Sequence, residues 1–205
     1  MTSPQTVQHP VLNVVVLVSG TGSLLQSILD HQGDSYRVVK VVADKPCPGI
    51  DRAEKAGIDT QVVALTGDRA AWNEELAEAV AAAAPRADVV VSAGFMKILG
   101  EGVLHRFGGR TINTHPALLP AFKGAHGVRD ALDYGVKVTG STVHFVDSGV
   151  DTGQIIAQRP VRVADDDDEA SLHERIKVVE RELIVEVLRH TRVESAGGLS
   201  ISFSG

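Results

Sequence analysis

One cysteine, Cys47, stands in a chain of 205 residues, so an internal disulfide and a cluster of thiolate metal ligands are both excluded. A single thiol fits a reducing compartment, and the cytoplasm is the expected location. No apolar run approaches the roughly 20 residues that cross a bilayer. The first ten residues are polar and lack the apolar centre of a signal peptide. A membrane partner is therefore not expected. Cations are outnumbered: 20 Lys and Arg against 26 Asp and Glu leave a net charge of −6. That is the wrong sign for binding nucleic acid by bulk phosphate neutralisation, although one local basic pocket remains compatible with it. The G-x-x-x-x-G-K-[ST] loop, the H-E-x-x-H pair and the G-x-S-x-G elbow are all missing, which argues against an NTPase, a zinc hydrolase and a serine hydrolase. No metal is expected.

What is present is ordinary for a globular domain: 43% hydrophobic and 22% charged residues, without internal repeats or a low-complexity linker. One domain over 11–205 is expected, preceded by a loose tail over 1–10. The first apolar run, Val11-Leu12 and Val14 to Val18, is unbroken rather than alternating, as in a strand buried on both faces. Ser19-Gly20-Thr21-Gly22-Ser23 follows and opens a helix, giving a βα unit. Further strands are expected at 38–43, 61–64, 89–93, 111–115, 138–146 and 155–163. A short helix is expected over 50–56 and an amphipathic one over 68–84, ended by Pro85. A long helix over about 169–190 carries Leu172, Ile176, Val179, Leu183 and Val187 as its apolar stripe. The acidic run 165–169 at its start reads as a cap complementing the helix dipole. The sum is an α/β fold with a mostly parallel sheet of about seven strands flanked by helices. Strand-like pieces over 193–203 suit either a homodimer contact or a covered sheet edge.

Three segments carry chemistry. The glycine loop ends at a helix N-terminus, where unpaired N–H groups attract an anion; a plain tight turn is the alternative. A dinucleotide loop wants G-x-G-x-x-G, but Leu25 occupies the third glycine position, so Asp44, placed like a ribose acid at the end of the second strand, lacks its usual context. A monophosphate fits better. Asn113-Thr114-His115-Pro116 puts an amide and an imidazole on one strand face, and the proline extends the chain there. That pair suits acyl transfer: an Asn N–H binds a developing oxyanion and a His moves the proton. A surface histidine is the alternative. Asp147 to Gly153 is a glycine-rich loop with two carboxylates, either a capped turn or, if Asp151 faces His115, a support for that ring. His126 and His144 have no metal-binding spacing.

Taken together, four blocks in order resemble the folate-dependent formyltransferases: Val16 to Ser23, Ala93 to Leu99, Asn113 to Pro120, and Ser141 to Val146 running on through Asp151-Thr152-Gly153. The resemblance implies a single Rossmann-like domain. It implies transfer of the formyl group of 10-formyltetrahydrofolate, the co-substrate, to the amine of glycinamide ribonucleotide in purine synthesis. Asn113, His115 and Asp151 match the catalytic set. Gly22, Ser23 and Leu24 match the ribonucleotide phosphate site, and Glu180 the acid on its ribose. Arg69 matches a basic residue near the folate tail. Met96, Lys97, Ile98 and Leu99 match the segment along the pterin, with Asn113, Val146 and Asp147 on the same slot.

On the helical wheel Glu180 falls about 60° from the stripe's centre, where a rim salt bridge is the other reading. Departures from the family pattern are Leu24 for a frequent Asn, Lys97 for Arg, and Lys123 and Gln154 where Pro is common. Lys123 adds charge for a phosphate or leans into solvent. Other acceptors of the same chemistry are a sugar-nucleotide amine or methionyl-tRNA, and a non-catalytic nucleotide-binding module is the reading from a different class. The short chain and acidic balance disfavour the tRNA enzyme and the folate hydrolase, which carry additional domains.

Overall fold

The valine run of β1 (Leu12–Val18) is unbroken because both of its faces are covered in the computed structural model, which describes residues 10–193 and 198–201. Val14, Val16 and Val18 enter one apolar cluster, while Val15 and Leu17 enter another on the opposite face. Alternating side chains of a strand point to opposite faces, so only a sheet between two helical layers makes this pattern favourable.

After β1 come α1 (Ser23–Asp30), β2 (Tyr36–Ala43), α2 (Pro48–Lys55), β3 (Asp59–Val62), α3 (Arg69–Ala81) and β4 (Val89–Ser92). They are followed by α4 (Glu101–Phe107), β5 (Thr111–His115), α5 (Gly127–Tyr134), β6 (Val138–Phe145), β7 (Ile155–Arg162) and α6 (Glu169–His190). The sheet runs β3-β2-β1-β4-β5-β6-β7. β1 to β5 are parallel, and β6 is antiparallel to both neighbours. α1, α2 and α6 pack on one face through Leu25, Ile28, Ile50, Ala53, Leu183 and Leu188. α3 and α4 cover the other with Trp72, Leu76, Val80, Val103 and Phe107. The front of α6, with Leu172 and Ile176, instead closes a third cluster with Val128, Val161 and Val163. The architecture is the α/β fold expected from the sequence.

Differences are local. α3 stops at Ala81, well before Pro85, because a proline disfavours helical backbone in the residue ahead of it and the chain must already turn toward β4. β3 lies two residues earlier than its apolar residues suggest, since pairing with β2 from Lys40 to Ala43 sets its register. α4 and α5 are too short to show a clear period. The acidic start of α6 is a capping box: Asp168 Oδ1 accepts from the Ser171 N–H at 2.7 Å and Ser171 Oγ from the Asp168 N–H at 3.0 Å. Beyond α6, β8 (Thr191–Val193) pairs antiparallel with β9 (Leu199–Ile201), so these tail strands pair with each other. Residues 1–9, 194–197 and 202–205, which include parts of both expected tails, lie outside the described residues. Among the described residues no helix is long and apolar enough to cross a membrane.

Candidate active site

The carboxyl ends of β1, β4 and β5 open onto one edge of the sheet, where order reverses between β1 and β4 and a crevice forms. At the end of β1, Gly22 turns the chain into α1 with φ +70°. A Cβ there would approach Gly49 Cα to 2.7 Å, so both conformation and space demand glycine. No side chain caps α1, which leaves its first-turn amides to a ligand. Leu24 is 7% exposed and packs into the core, so of the expected phosphate-site trio it offers its backbone only. Beside the loop, Arg52 Nε donates to the Thr21 carbonyl at 2.8 Å.

Beyond β4 the chain crosses the crevice as 93–100. Its residues Phe95 to Leu99 wall a cleft of about 220 Å³, faced by Asn113, His144, Val146, Asp147 and Asp151. Met96 and Ile98 are exposed at its mouth. Arg69, at the start of α3, donates to the Ile98 carbonyl at 2.9 Å, so it braces the cleft wall without being part of the lining. The Val146 N–H is committed to the Thr111 carbonyl at 2.9 Å, which leaves its own carbonyl for recognition. A larger hollow of about 450 Å³ over α1 and α6, lined by Arg159, Arg181 and Arg189 among others, holds none of the expected catalytic groups.

Antiparallel pairing of β5 and β6 sets Asn113 opposite His144, and Asn113 Nδ2 lies 3.4 Å from His144 Nε2. Asp151 reaches back between two rings: Oδ2 is 3.3 Å from His115 Nδ1 and Oδ1 is 3.5 Å from His144 Nε2. Its second anchor is the Gly124 N–H, 2.8 Å away. Burial raises the carboxyl's pKa, but hydrogen bonding from His144 and Gly124 and the charge of His115 outweigh it, and the net shift is downward. Asp151 is thus held as an anion, with φ +51°, unusual for a residue with a side chain. His115 is 3% exposed and directs Nε2 to the Phe122 carbonyl at 2.7 Å. A carbonyl only accepts, so Nε2 carries a proton. His144 Nδ1 faces the Phe145 carbonyl at 2.8 Å, which by the same reasoning places a proton on Nδ1, while Nε2 is directed at Asn113 and Asp151.

The expected trio is therefore assembled, with His115 behind the Asp151 carboxylate rather than on the cleft lining. The group passed over in the sequence is His144. Its signal was available only as pairing: two residues set opposite each other on neighbouring strands, which spacing along one chain does not reveal. Lys123 lies exposed between Phe122 and Gly124, on the loop that holds both His115 and Asp151. Asp147 sits at the cleft with its pKa lowered chiefly by the Thr152 hydroxyl, which donates at 2.6 Å.

Thr114 points away from Asn113 and His115, and its hydroxyl donates to Glu180 on α6. Glu180 thus shares a sheet face with α1 and its glycine loop, while the folate-expected residues lie over the other face. Burial raises the Glu180 pKa, against the lowering pull of Thr114, Arg181 and Lys177. Among the described residues no group of three or more His, Cys, Asp or Glu is arranged to hold a metal ion.

Residues 12–188 match the formyl transferase family. The chain belongs to that family. Over 176 residues it is 58% identical to the phosphoribosylglycinamide formyltransferase of Mycobacterium tuberculosis, covering 84% of this chain and 81% of the relative. Its fold superposes with a TM-score of 0.87 on glycinamide ribonucleotide transformylase 1 from Symbiobacterium toebii, at 35% identity, covering 98% of this chain and all of the other. The phosphoribosylglycinamide formyltransferase of Streptococcus pneumoniae gives 0.80 at 36% identity, covering 87% and 97%.

Proposed function

We propose that the chain transfers the formyl group of 10-formyltetrahydrofolate to the amine of N1-(5-phospho-D-ribosyl)glycinamide in purine synthesis. The observation that carries this reading is the Asn113–His144–Asp151–His115 cluster between two recognition surfaces on opposite faces of the sheet. The relatives named above support it. On one face, Gly22, Ser23 and Leu24 take the phosphate by backbone amides and Glu180 takes the ribose. On the other, Met96 to Leu99, Val146 and Asp147 take the pterin, with Arg69 toward the glutamate tail. Donor and acceptor then meet at Asn113, and holding both in one cleft supplies much of the rate by proximity.

The neutral amine attacks the formyl carbon directly. Asn113 Nδ2–H stabilises the oxyanion of the tetrahedral adduct. His115, its positive charge supported by Asp151, exchanges the Phe122 carbonyl for that oxyanion; catalytic hydrogen bonds commonly tighten only once substrates are bound. With Asp151 and water it then relays a proton toward the departing nitrogen. The partners are these small molecules, not nucleic acid, and the setting is the cytoplasm.

A coupled assay following deformylated folate tests the reading. Signal should depend on glycinamide ribonucleotide, and its absence with that acceptor rejects the substrate assignment. His115→Ala should lose about 10²–10³ in turnover with an unchanged circular dichroism spectrum. Near-normal turnover in that variant rejects the mechanism.

A further inference from the structure

Asp44 has no part in the chemistry above, yet its environment is unusual. It follows β2 at the same sheet edge as the glycine loop, and its side chain is 3% exposed. Oδ2 faces Lys97 Nζ at 3.7 Å, while the buried Oδ1 has no hydrogen-bond partner among the described residues. A buried carboxylate strongly favours a counter-charge, and Lys97 is the cation that meets it.

Lys97 lies in the middle of the cleft wall, a stretch without regular hydrogen bonding of its own. The wall is held at alternate residues. The Met96 N–H donates to Ser19 Oγ at 2.8 Å, and the Ile98 carbonyl accepts from Arg69 at 2.9 Å. The Gly100 N–H donates to Asn73 Oδ1 at 2.6 Å, and Leu99 is buried. Between these ties, among the described residues, the ion pair is the only one made through the side chain of a wall residue that also lines the cleft. Its geometry draws the ammonium back toward the residue that follows β2.

We propose that Asp44 is a positioning residue for the formyl donor. Its carboxylate holds the Lys97 side chain against the sheet edge and thereby fixes the Met96–Leu99 backbone as a rigid wall. This rests on the reading that the donor occupies this cleft. A pre-set wall spares the donor the cost of ordering it, so the tether acts on donor binding and not on the bond-making step.

The test is Asp44→Asn, which keeps the shape and removes the charge. The Michaelis constant for 10-formyltetrahydrofolate should rise about tenfold with kcat within about twofold, the pattern of lost uniform binding. The constant for glycinamide ribonucleotide should not move. In the protein without substrates, amide hydrogen exchange over 94–100 should quicken while that over 20–28 stays as in the wild type. Lys97→Met should reproduce both effects, and Lys97→Arg, which keeps the charge, should keep the slow exchange over 94–100. Unchanged exchange over 94–100 overturns the tether. Faster exchange with an unchanged donor constant overturns its role in donor binding. A fall in kcat matched by lost thermal stability makes the pair merely structural, which also overturns it. Wild-type protein inactive with the formyl donor brings down the proposed function and this inference with it, while the exchange data still report on the tether.

Discussion

In the proposed reading the glycine loop and the reaction centre have the same task, holding permanent or developing negative charge, and they differ in the materials they use for it. The loop uses backbone. Residues 19–23 are contiguous, and a single turn at Gly22 aims uncapped amides outward. The reaction centre uses side chains from β5, β6 and one loop, braced by the backbone of a second, with partners up to 36 residues apart in the chain, as for His115 and Asp151. The first is specified by local conformation, and the second by strand pairing and loop docking. Substitutions should therefore act differently in the two regions: on binding through backbone shape in one, and on turnover through charge in the other.

The sharpest break of this contrast is Asp151→Asn. It keeps the Gly124 contact in outline but removes the anion between His115 and His144, and turnover should fall by about 10² with little change in either Michaelis constant. The same carboxylate makes stability depend on pH. The Asp151 pKa is lowered on folding, so its contribution to stability is present above the ordinary carboxylate value near 4 and is lost as pH falls through the depressed one. Thermal denaturation of the asparagine variant should accordingly lose less between pH 5 and 3 than that of the wild type.

A smaller effect is expected at the loop. Gly22→Ala meets Gly49 backbone at 2.7 Å and an unfavourable φ, costing about 1–3 kcal/mol of stability. The ribonucleotide Michaelis constant should rise about tenfold, with the donor constant unchanged. Calorimetry and initial-rate kinetics check the two parts, and a rise in both constants would erase the separation between regions.

The smallest change should come at Glu180, where the sign reverses. Burial raises its pKa, so its stability contribution is full below the unfolded value and is lost as pH rises through the folded one. Glu180→Gln should therefore gain thermal stability at pH 8 relative to wild type and lose that advantage at pH 4. The same variant should weaken ribonucleotide binding. Stability that changes equally at both pH values would contradict the buried-acid account.

Legibility in the sequence followed the range of the interactions. The β1 valines, the glycine loop and the long stripe of α6 were readable because each is decided within a few residues. Asn113 and His115 were readable as a pair because a strand's period of two puts them on one face. His144 was not, since its role arises from standing opposite Asn113 across the β5–β6 ladder. Asp44 was legible only in part. Its position at the end of a second strand is that of a ribose acid, a role set aside for want of the third glycine, and its actual partner, Lys97, emerges only from burial. α4 and α5, at seven and eight residues, were too short for periodicity to separate them from loop.

By itself the sequence determined a mostly parallel α/β domain, the place of the glycine loop that opens the first helix, and an amide–imidazole pair at a strand end, because hydrophobic period, glycine and proline act locally. Only the tertiary structure decided that Asp151 would stand between two histidines, that Glu180 would share a face with the glycine loop, and that the cleft wall would be tied to a buried carboxylate. Those are contacts between distant segments, and their geometry is set by the sheet order and by the antiparallel return of β6, neither of which any short stretch of residues encodes.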